Sequence, residues 1–326
     1  MTIDVLCLRP ESDFQRADAL PPAPLKVVYR SPDDADLVAL LKEARALVIP
    51  AVGPKLPAAW FGNTSIKFVQ VTGAGFDRLD LPAMKRLGIS VANVPGGSNN
   101  ALAEYVVTAA SLLLRRFAWA DAEIRAGNYA AFRARMIVDN LAGLDGLIAG
   151  IVGLGTIGLA VAEAFRKRGC RIRYYDPAPR NLSAAKTLEA ESVSLDELLK
   201  IADVITLHVP LLPATQGLIG ARELAAMKTE AVLIQASRGG IVDETALAEC
   251  LKSGHLGGAA VDVYSTEPPA PGNALFSLRG DAARRVLFTP HIAGVTRQSA
   301  AFLFRSAWRN VERVLLADEP PLDRVC

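Results

Sequence analysis

Short apolar blocks alternate with stretches of helical spacing along this chain, and the clearest such unit runs from Leu147 to Asp176. The run Leu147–Val152 has the character of a strand buried on both faces of a parallel sheet. It breaks at Gly153-Leu154-Gly155-Thr156-Ile157-Gly158, after which helical spacing takes over through Ala160, Val161, Ala164 and Phe165. A second run, Arg171–Tyr175, ends in Asp176.

The same alternation fills residues 1–97. Strands are predicted at Asp4–Leu8, Lys26–Tyr29, Ala46–Ile49, Ile66–Val71 and Ser90–Ala92. Helices are predicted at Asp33–Glu43, after the start signal Ser31-Pro32, and at Pro82–Leu87, ending at Gly88. Asn100–Phe117 is predicted as a long helix that Asn100 could cap, apolar on more than one face and so buried between domains or between subunits. Asp121–Leu144 is less regular and reads either as an arm over a partner subunit or as a surface connection. Beyond Asp176 the pattern resumes, with strands at Asp203–Val209, Ala231–Gln235, Gly258–Val263 and Val286–Thr289 and helices at Asp196–Lys200, Ala221–Met227 and Glu244–Ser253. Thr296–Ala317 closes the chain as an amphipathic helix able to return it to the first domain. This pattern predicts an α/β protein of two Rossmann-like or flavodoxin-like domains, each on a parallel sheet with right-handed crossovers.

Strand, glycine turn, helix, strand and acid form the order that a dinucleotide site needs. Gly153 permits the tight turn, Gly155 lets the backbone approach a pyrophosphate, and Gly158 lets the helix pack closely on the strand. The pyrophosphate would rest on the unpaired amides and positive dipole end of the helix. Asp176 falls where a carboxylate can accept both hydroxyls of an adenosine ribose. The same carboxylate disfavours a 2′-phosphate by on the order of 1–4 kcal/mol. No arginine follows it immediately, since Pro177 does, with Arg180 further on, so NAD is expected over NADP.

Composition narrows the class. The 326 residues are 51% hydrophobic and 21% charged with a net charge of +2, so no basic excess points to nucleic acid. The start, Met1–Phe14, carries acids and a proline where a signal peptide needs a basic segment and then an apolar one. No uncharged run approaches the roughly 20 residues of a membrane span. The scattered Cys7, Cys170, Cys250 and Cys326 read as reduced thiols in a cytoplasm, with neither a disulfide framework nor a metal site.

Three candidate chemical residues follow predicted strand ends: Arg238 after Ala231–Gln235, Glu267 after Gly258–Val263 and His291 after Val286–Thr289. Arginine offers a planar fork for a carboxylate. Histidine exchanges protons near neutrality, and a glutamate against it would orient the ring and favour its protonated form. Taken singly, each has a plainer reading, as a helix-cap partner, a surface glutamate or a structural histidine. Thr72-Gly73-Ala74-Gly75-Phe76-Asp77, directly after a predicted strand, is either an anion-sized nest of backbone amides or a flexible turn.

The ordered set Gly73-Ala74-Gly75-Phe76-Asp77, Gly153-x-Gly155-x-x-Gly158, His208-Val209-Pro210-Leu211, Ser237-Arg238-Gly239-Gly240, Asp262-Val263-Tyr264-x-x-Glu267-Pro268 and Thr289-Pro290-His291-Ile292-Ala293-Gly294 resembles the NAD-dependent D-2-hydroxyacid dehydrogenase family over essentially the whole chain. The resemblance implies a discontinuous substrate-binding domain, residues 1–97 with 297–326. It implies an NAD-binding Rossmann domain at 98–296, an active site in the cleft between the two domains, and a homodimer built on about 100–144. It also implies reversible hydride transfer between NAD(H) and a small 2-oxo or D-2-hydroxy acid of the glyoxylate, hydroxypyruvate or pyruvate type. Arg238 would bind the substrate carboxylate and polarise the carbonyl, His291 would be the acid/base, and Glu267 would support His291. The amides of Ala74 and Gly75 would hold the carboxylate's other side. NAD would be held by Gly153, Gly155, Thr156, Ile157, Gly158 and Asp176, then by His208, Val209 and Pro210. Ala236, Ser237, Arg238, Asp262, His291, Ala293 and Gly294 would complete that site. A 3-phosphoglycerate dehydrogenase-like activity is the alternative, set against a loop, Ala51-Val52-Gly53-Pro54, that lacks a basic side chain although Lys55 is close. An NAD-responsive corepressor-like binding protein is the alternative of another class.

Overall fold

In the computed structural model, which describes residues 3–179 and 182–326, the alternation resolves into two compact units. One holds the described residues up to Ser98 together with Val295–Cys326, and the other is Asn99–Gly294.

The first unit is built on five strands: β1 (Val5–Cys7), β2 (Val27–Tyr29), β3 (Ala46–Ile49), β4 (Phe68–Val71) and β5 (Ser90–Ala92). They lie in the order β2-β1-β3-β4-β5, and every pairing is parallel, with Val5 opposite Val27 on one side and Ala46 on the other. Side chains alternate between faces along a strand. Leu6, Leu47, Ile49, Val69 and Val71 meet the helical residues Leu37, Leu41 and Met84. Val5, Cys7, Val48 and Phe68 instead meet Phe14, Phe304, Trp308 and Val311. Both faces are therefore covered, which is why these strands read as continuous apolar runs. The covering residues Phe304, Trp308 and Val311 belong to the helix Arg297–Leu315, whose N-cap Thr296 accepts from the Ser299 amide.

The second unit carries β6 (Ile148–Val152), β7 (Arg171–Tyr175), β8 (Glu191–Ser192), β9 (Val204–Leu207), β10 (Val232–Gln235), β11 (Gly258–Val261) and β12 (Val286–Phe288). Their order is β12-β11-β10-β9-β6-β7-β8, again all parallel. The sheet is laid down outward from β6 in both directions. Ligands of such sheets bind beyond the carboxyl ends of the strands, at the point where the order reverses.

Several boundaries differ from expectation. The helix predicted over Asp33–Glu43 spans only Leu37–Glu43. Asp34 accepts from the Ser31 amide, and Asp36 pairs with Arg30 at 3.0 Å, so the preceding residues form turns. Asn100 does not cap the next helix, which runs Asn99–Leu114 and places Asn100 inside its first turn. Ala103, Val106, Val107 and Ala110 of that helix pack against the sheet of their own unit and against Val161 and Phe165. The irregular Asp121–Leu144 contains ordered helix: Phe117–Arg125 and Tyr129–Val138 are separated by Gly127, at φ +81. A short strand, β8, was not expected. None of the described helices is long and apolar enough to cross a membrane.

Cys7 and Cys170 lie wholly inside their units, and burial pushes their thiols up to about 12 and about 11. The thiolate is the reactive species, and its fraction at pH 8 falls about tenfold per unit of pKa. Alkylation by iodoacetamide at pH 8, followed by peptide mass spectrometry, should therefore be at least about a hundredfold slower at both cysteines in native protein than in guanidinium. Rapid native labelling of either would contradict their placement.

Candidate functional site

The expected cofactor and catalytic residues of the second unit all follow the carboxyl ends of its parallel strands. Gly153 follows β6, Asp176 follows β7, His208 follows β9, Ala236 follows β10, Asp262 follows β11, and Thr289 leads from β12 to His291. Strand direction alone thus brings together residues far apart in sequence.

The three glycines of the first loop differ physically. Gly153 sits at φ +92, and a Cβ there would lie 2.8 Å from the His208 carbonyl oxygen. A Cβ at Gly158 would lie 2.0 Å from the Gly153 carbonyl oxygen. These two glycines let the loop, the helix Thr156–Arg166 and the β9 loop close on one another. A Cβ at Gly155 would meet nothing within 4 Å. Gly155 is also the N-cap, and among the described residues this helix has no side-chain cap on its first-turn amides. A pyrophosphate fits there, accepting from those amides. Asp176 Oδ2 accepts from the Leu154 amide and Oδ1 from the Ala178 amide, both at 2.8 Å, which ties the acid to the glycine loop. Arg180 lies outside the described residues.

At the end of β9, His208 Nε2 lies 2.9 Å from the hydroxyl of buried Thr206, and burial pushes its pKa down to about 3. The ring is therefore neutral; the His208 carbonyl and the Val209 side chain pack over Gly153, while Pro210 is exposed.

After β10, buried Gln235 organises the turn: its Oε1 accepts from the Ser237 hydroxyl at 2.8 Å, and its Nε2 donates to the Arg238 carbonyl at 2.8 Å. The Arg238 guanidinium donates to the Ser237 carbonyl at 2.7 Å and is half-buried. A Cβ at Gly239 would fall 1.7 Å from the Tyr264 carbonyl oxygen, so the Arg238 loop abuts the Asp262–Glu267 loop with no room for a side chain.

Glu267 and His291, residues distant in sequence, are directly paired. Glu267 Oε2 lies 2.8 Å from His291 Nδ1, and Oε1 accepts from the Tyr264 amide at 3.1 Å. A carboxylate on Nδ1 holds a proton on that nitrogen and leaves Nε2 as the ring atom that can exchange a proton with another group. His291 has φ +56, a left-handed conformation that costs a non-glycine residue about 1–2 kcal/mol. Asp262 holds it there. Its backbone carbonyl accepts from the His291 amide, and its side chain accepts from the Ile292 and Ala293 amides at 2.8 and 2.9 Å and from the Thr289 hydroxyl at 2.6 Å. The Thr289 hydroxyl in turn meets the Tyr105 hydroxyl at 2.6 Å. Asp262 is 1% exposed, so its carboxylate faces the loop that carries His291, Ala293 and Gly294. Gln235, Thr289 and Tyr105 were not among the expected site residues. Thr289 and Tyr105 act through side-chain bonds between distant segments, whereas Gln235 bonds locally, to Ser237 and Arg238 beside the Gly239-Gly240 pair.

In the first unit, Ala74 and Gly75 are half-exposed on the loop after β4, and a Cβ at Gly73 would lie 2.8 Å from the Ala51 side chain. Arg78, on the same loop, is 3% exposed and donates to the Pro54 and Pro50 carbonyls at 2.8 and 3.0 Å.

Residues 107–293 match the family described as D-isomer specific 2-hydroxyacid dehydrogenase, NAD binding domain. The chain belongs to that family. This dehydrogenase is 32% identical to a glyoxylate reductase of Korarchaeum cryptofilum over 307 residues, covering 93% of this chain and 86% of the relative. A D-3-phosphoglycerate dehydrogenase of Archaeoglobus fulgidus is 36% identical over 235 residues, 72% of this chain but only 42% of that protein. The fold superposes on the holo form of Rhodotorula graminis D-mandelate dehydrogenase with a TM-score of 0.84 and 27% identity, covering 100% of this chain and 98% of that one. The expectations of family, α/β fold and NAD as cofactor are met.

The open space at Gly155 and the tight contact at Gly158 lead to a paired test. Gly155→Ala should leave the melting temperature nearly unchanged yet weaken NADH binding at least about tenfold, because its Cβ enters the pyrophosphate space. Gly158→Ala should weaken binding and also destabilise the fold by about 1–3 kcal/mol, the usual cost of overpacking. Thermal unfolding and fluorescence titration with NADH measure both, and equal behaviour of the two variants would contradict the division of roles.

Proposed function

We propose that the chain interconverts a small, unphosphorylated 2-oxo acid and its D-2-hydroxy acid, of the glyoxylate, hydroxypyruvate or pyruvate type. The carrying observation is the 2.8 Å pair of Glu267 with His291 on a loop fixed by buried Asp262. NADH, when bound, supplies the hydride that reaches C2 of the 2-oxo acid. Arg238 binds the substrate carboxylate and stabilises charge on the neighbouring C2 oxygen. His291 donates a proton from Nε2 to that oxygen and takes it back in the oxidative direction, while Glu267 holds Nδ1. The amides of Ala74 and Gly75 bind the substrate carboxylate. Asp262 serves the cofactor by holding the backbone of the 289–294 loop, and the other strand-end residues named above line the NAD site.

In this reading residues 1–97 with 297–326 form the substrate-binding domain and 98–296 the NAD-binding domain. A phosphorylated substrate is disfavoured because the cation packed behind the Ala51–Pro54 loop, Arg78, is buried and donates to carbonyls. Homodimerisation through residues 100–144 is supported by apolar side chains there that are exposed in the single chain: Tyr129 at 64%, Ile137 at 61% and Val138 at 82%. Free thiols at all four cysteines fit a reducing cytoplasm.

Oxidation of NADH, followed by absorbance over a panel of 2-oxo acids that includes 3-phosphohydroxypyruvate, tests the assignment. The wild type should turn over small unphosphorylated acids best. His291→Asn should bind NADH normally and lose about 10²–10⁴ in kcat, the range for general acid–base catalysis. NADH binding without turnover of any 2-oxo acid would overturn the enzymatic reading and favour an NAD-responsive binding protein.

A further inference from the structure

The half-exposed loop at Ala74 and Gly75 is held from behind in a way that fixes where its amides point. The Gly73 carbonyl accepts from the Val94 amide at 2.9 Å. The Ala74 carbonyl accepts from the Asn93 side-chain amide at 2.7 Å. A trans peptide is planar, with its carbonyl and the next N–H antiparallel. Anchoring the Gly73 carbonyl therefore turns the Ala74 N–H to the opposite side, and anchoring the Ala74 carbonyl does the same for the Gly75 N–H. The two bonds differ in kind. Val94 supplies a backbone donor that every residue except proline possesses, whereas Asn93 supplies a side-chain donor that depends on residue type. Asn93 is 7% exposed, immediately after β5, so its amide reaches the carbonyl from the packed side of the loop.

We propose that Asn93 is a positioning residue for substrate recognition: by anchoring the Ala74 carbonyl from behind, it aims the Gly75 N–H at the substrate carboxylate. The inference rests on the reading that the amides of Ala74 and Gly75 take that carboxylate. Asn93 itself touches no substrate. A carboxylate or an apolar group at position 93 cannot donate to the Ala74 carbonyl, and the Ala74–Gly75 peptide is then free to rotate. A mobile amide forms a weaker bond to an anion because its orientation is fixed only at the cost of binding. The loss falls on the 2-oxo acid and leaves the cofactor alone, since the glycine loop at Gly153–Gly158 belongs to the other unit.

Two variants carry the test. Asn93→Asp exchanges the donor for an acceptor that repels the carbonyl, and Asn93→Leu keeps the branched shape and removes the donor, which covers the case in which the first does not fold. Each is compared with wild type by steady-state kinetics on hydroxypyruvate, by NADH titration, and by titration of the enzyme–NADH complex with oxamate, a carboxylate-bearing analogue of a 2-oxo acid. The expected result is a KM for hydroxypyruvate and a Kd for oxamate raised about tenfold or more, with kcat within about threefold and NADH affinity unchanged. Asn310→Ala serves as the control for stability: it removes buried bonds to Gln70 and Leu322 in the same unit and should lower Tm without moving the KM. A folded Asn93 variant with unmoved KM and oxamate Kd would overturn the proposal and leave the catalytic reading intact. A fall in Tm alone would likewise assign Asn93 to stability and overturn it. A wild type that neither reduces a 2-oxo acid nor binds oxamate would overturn the catalytic reading and the role of Asn93 together.

Discussion

The Asp262 carboxylate, sealed beneath the loop after β12, is the interaction on which the proposed chemistry depends. Three donors converge on it, two backbone amides and the Thr289 hydroxyl, and its own carbonyl takes the His291 amide. A carboxylate buried to 1% exposure is stable only with its oxygens satisfied, and here the satisfying groups belong to the segment that must be shaped. The result is a histidine held at φ +56, with Nδ1 against Glu267. Replacing any of these donors would relax the loop before it touched the imidazole itself. Charge-assisted bonds of this kind are roughly twice as strong as neutral ones, enough to outweigh the cost of the left-handed residue.

The glycine loop follows the same logic with opposite means. There the backbone is shaped by the absence of side chains: Gly158 and Gly153 touch neighbouring main chain so closely that no Cβ fits. Gly155 alone opens outward, and the helix it begins has no side-chain cap. Packing thus fixes two glycines and leaves open space at the third. The His208 carbonyl and the Val209 side chain pack against this loop, and desolvation keeps the His208 ring neutral.

Much of the architecture was legible in the sequence because parallel strands covered on both faces must be apolar at every position. Ala46–Ile49, buried at all four positions, coincides with its predicted span for that reason, and Arg171–Tyr175 and Ser90–Ala92 coincide with theirs although neither is buried throughout. The glycine spacing, with a strand before it and an acid after the next strand, located the strand–loop–helix–strand unit. Helix starts were less legible. At Asp33–Asp36 side-chain bonds to the backbone compete with helix, and a Ser-Pro signal does not reveal which wins. In the 117–138 segment, exposed apolar residues blur the helical stripe that periodicity relies on. The supports Thr289, Tyr105 and Asn93 were illegible because each acts through a bond whose partner is set by the fold, as with Tyr105 and Thr289 on a helix and a distant strand end. Gln235 bonds within its own turn, where its residue type does not mark the role. The His291–Glu267 pair, by contrast, could be anticipated from strand ends together with the family resemblance, since a parallel sheet delivers its loops to one edge.

The central claim is that a hydride passes from the nicotinamide to C2 of a small 2-oxo acid with D stereochemistry. It is tested most directly by incubating the protein with hydroxypyruvate and NADH deuterated at both C4 positions, then analysing the product by chiral chromatography and mass spectrometry. The account predicts D-glycerate carrying one deuterium at C2. Formation of L-glycerate, or of glycerate without the label, would contradict it.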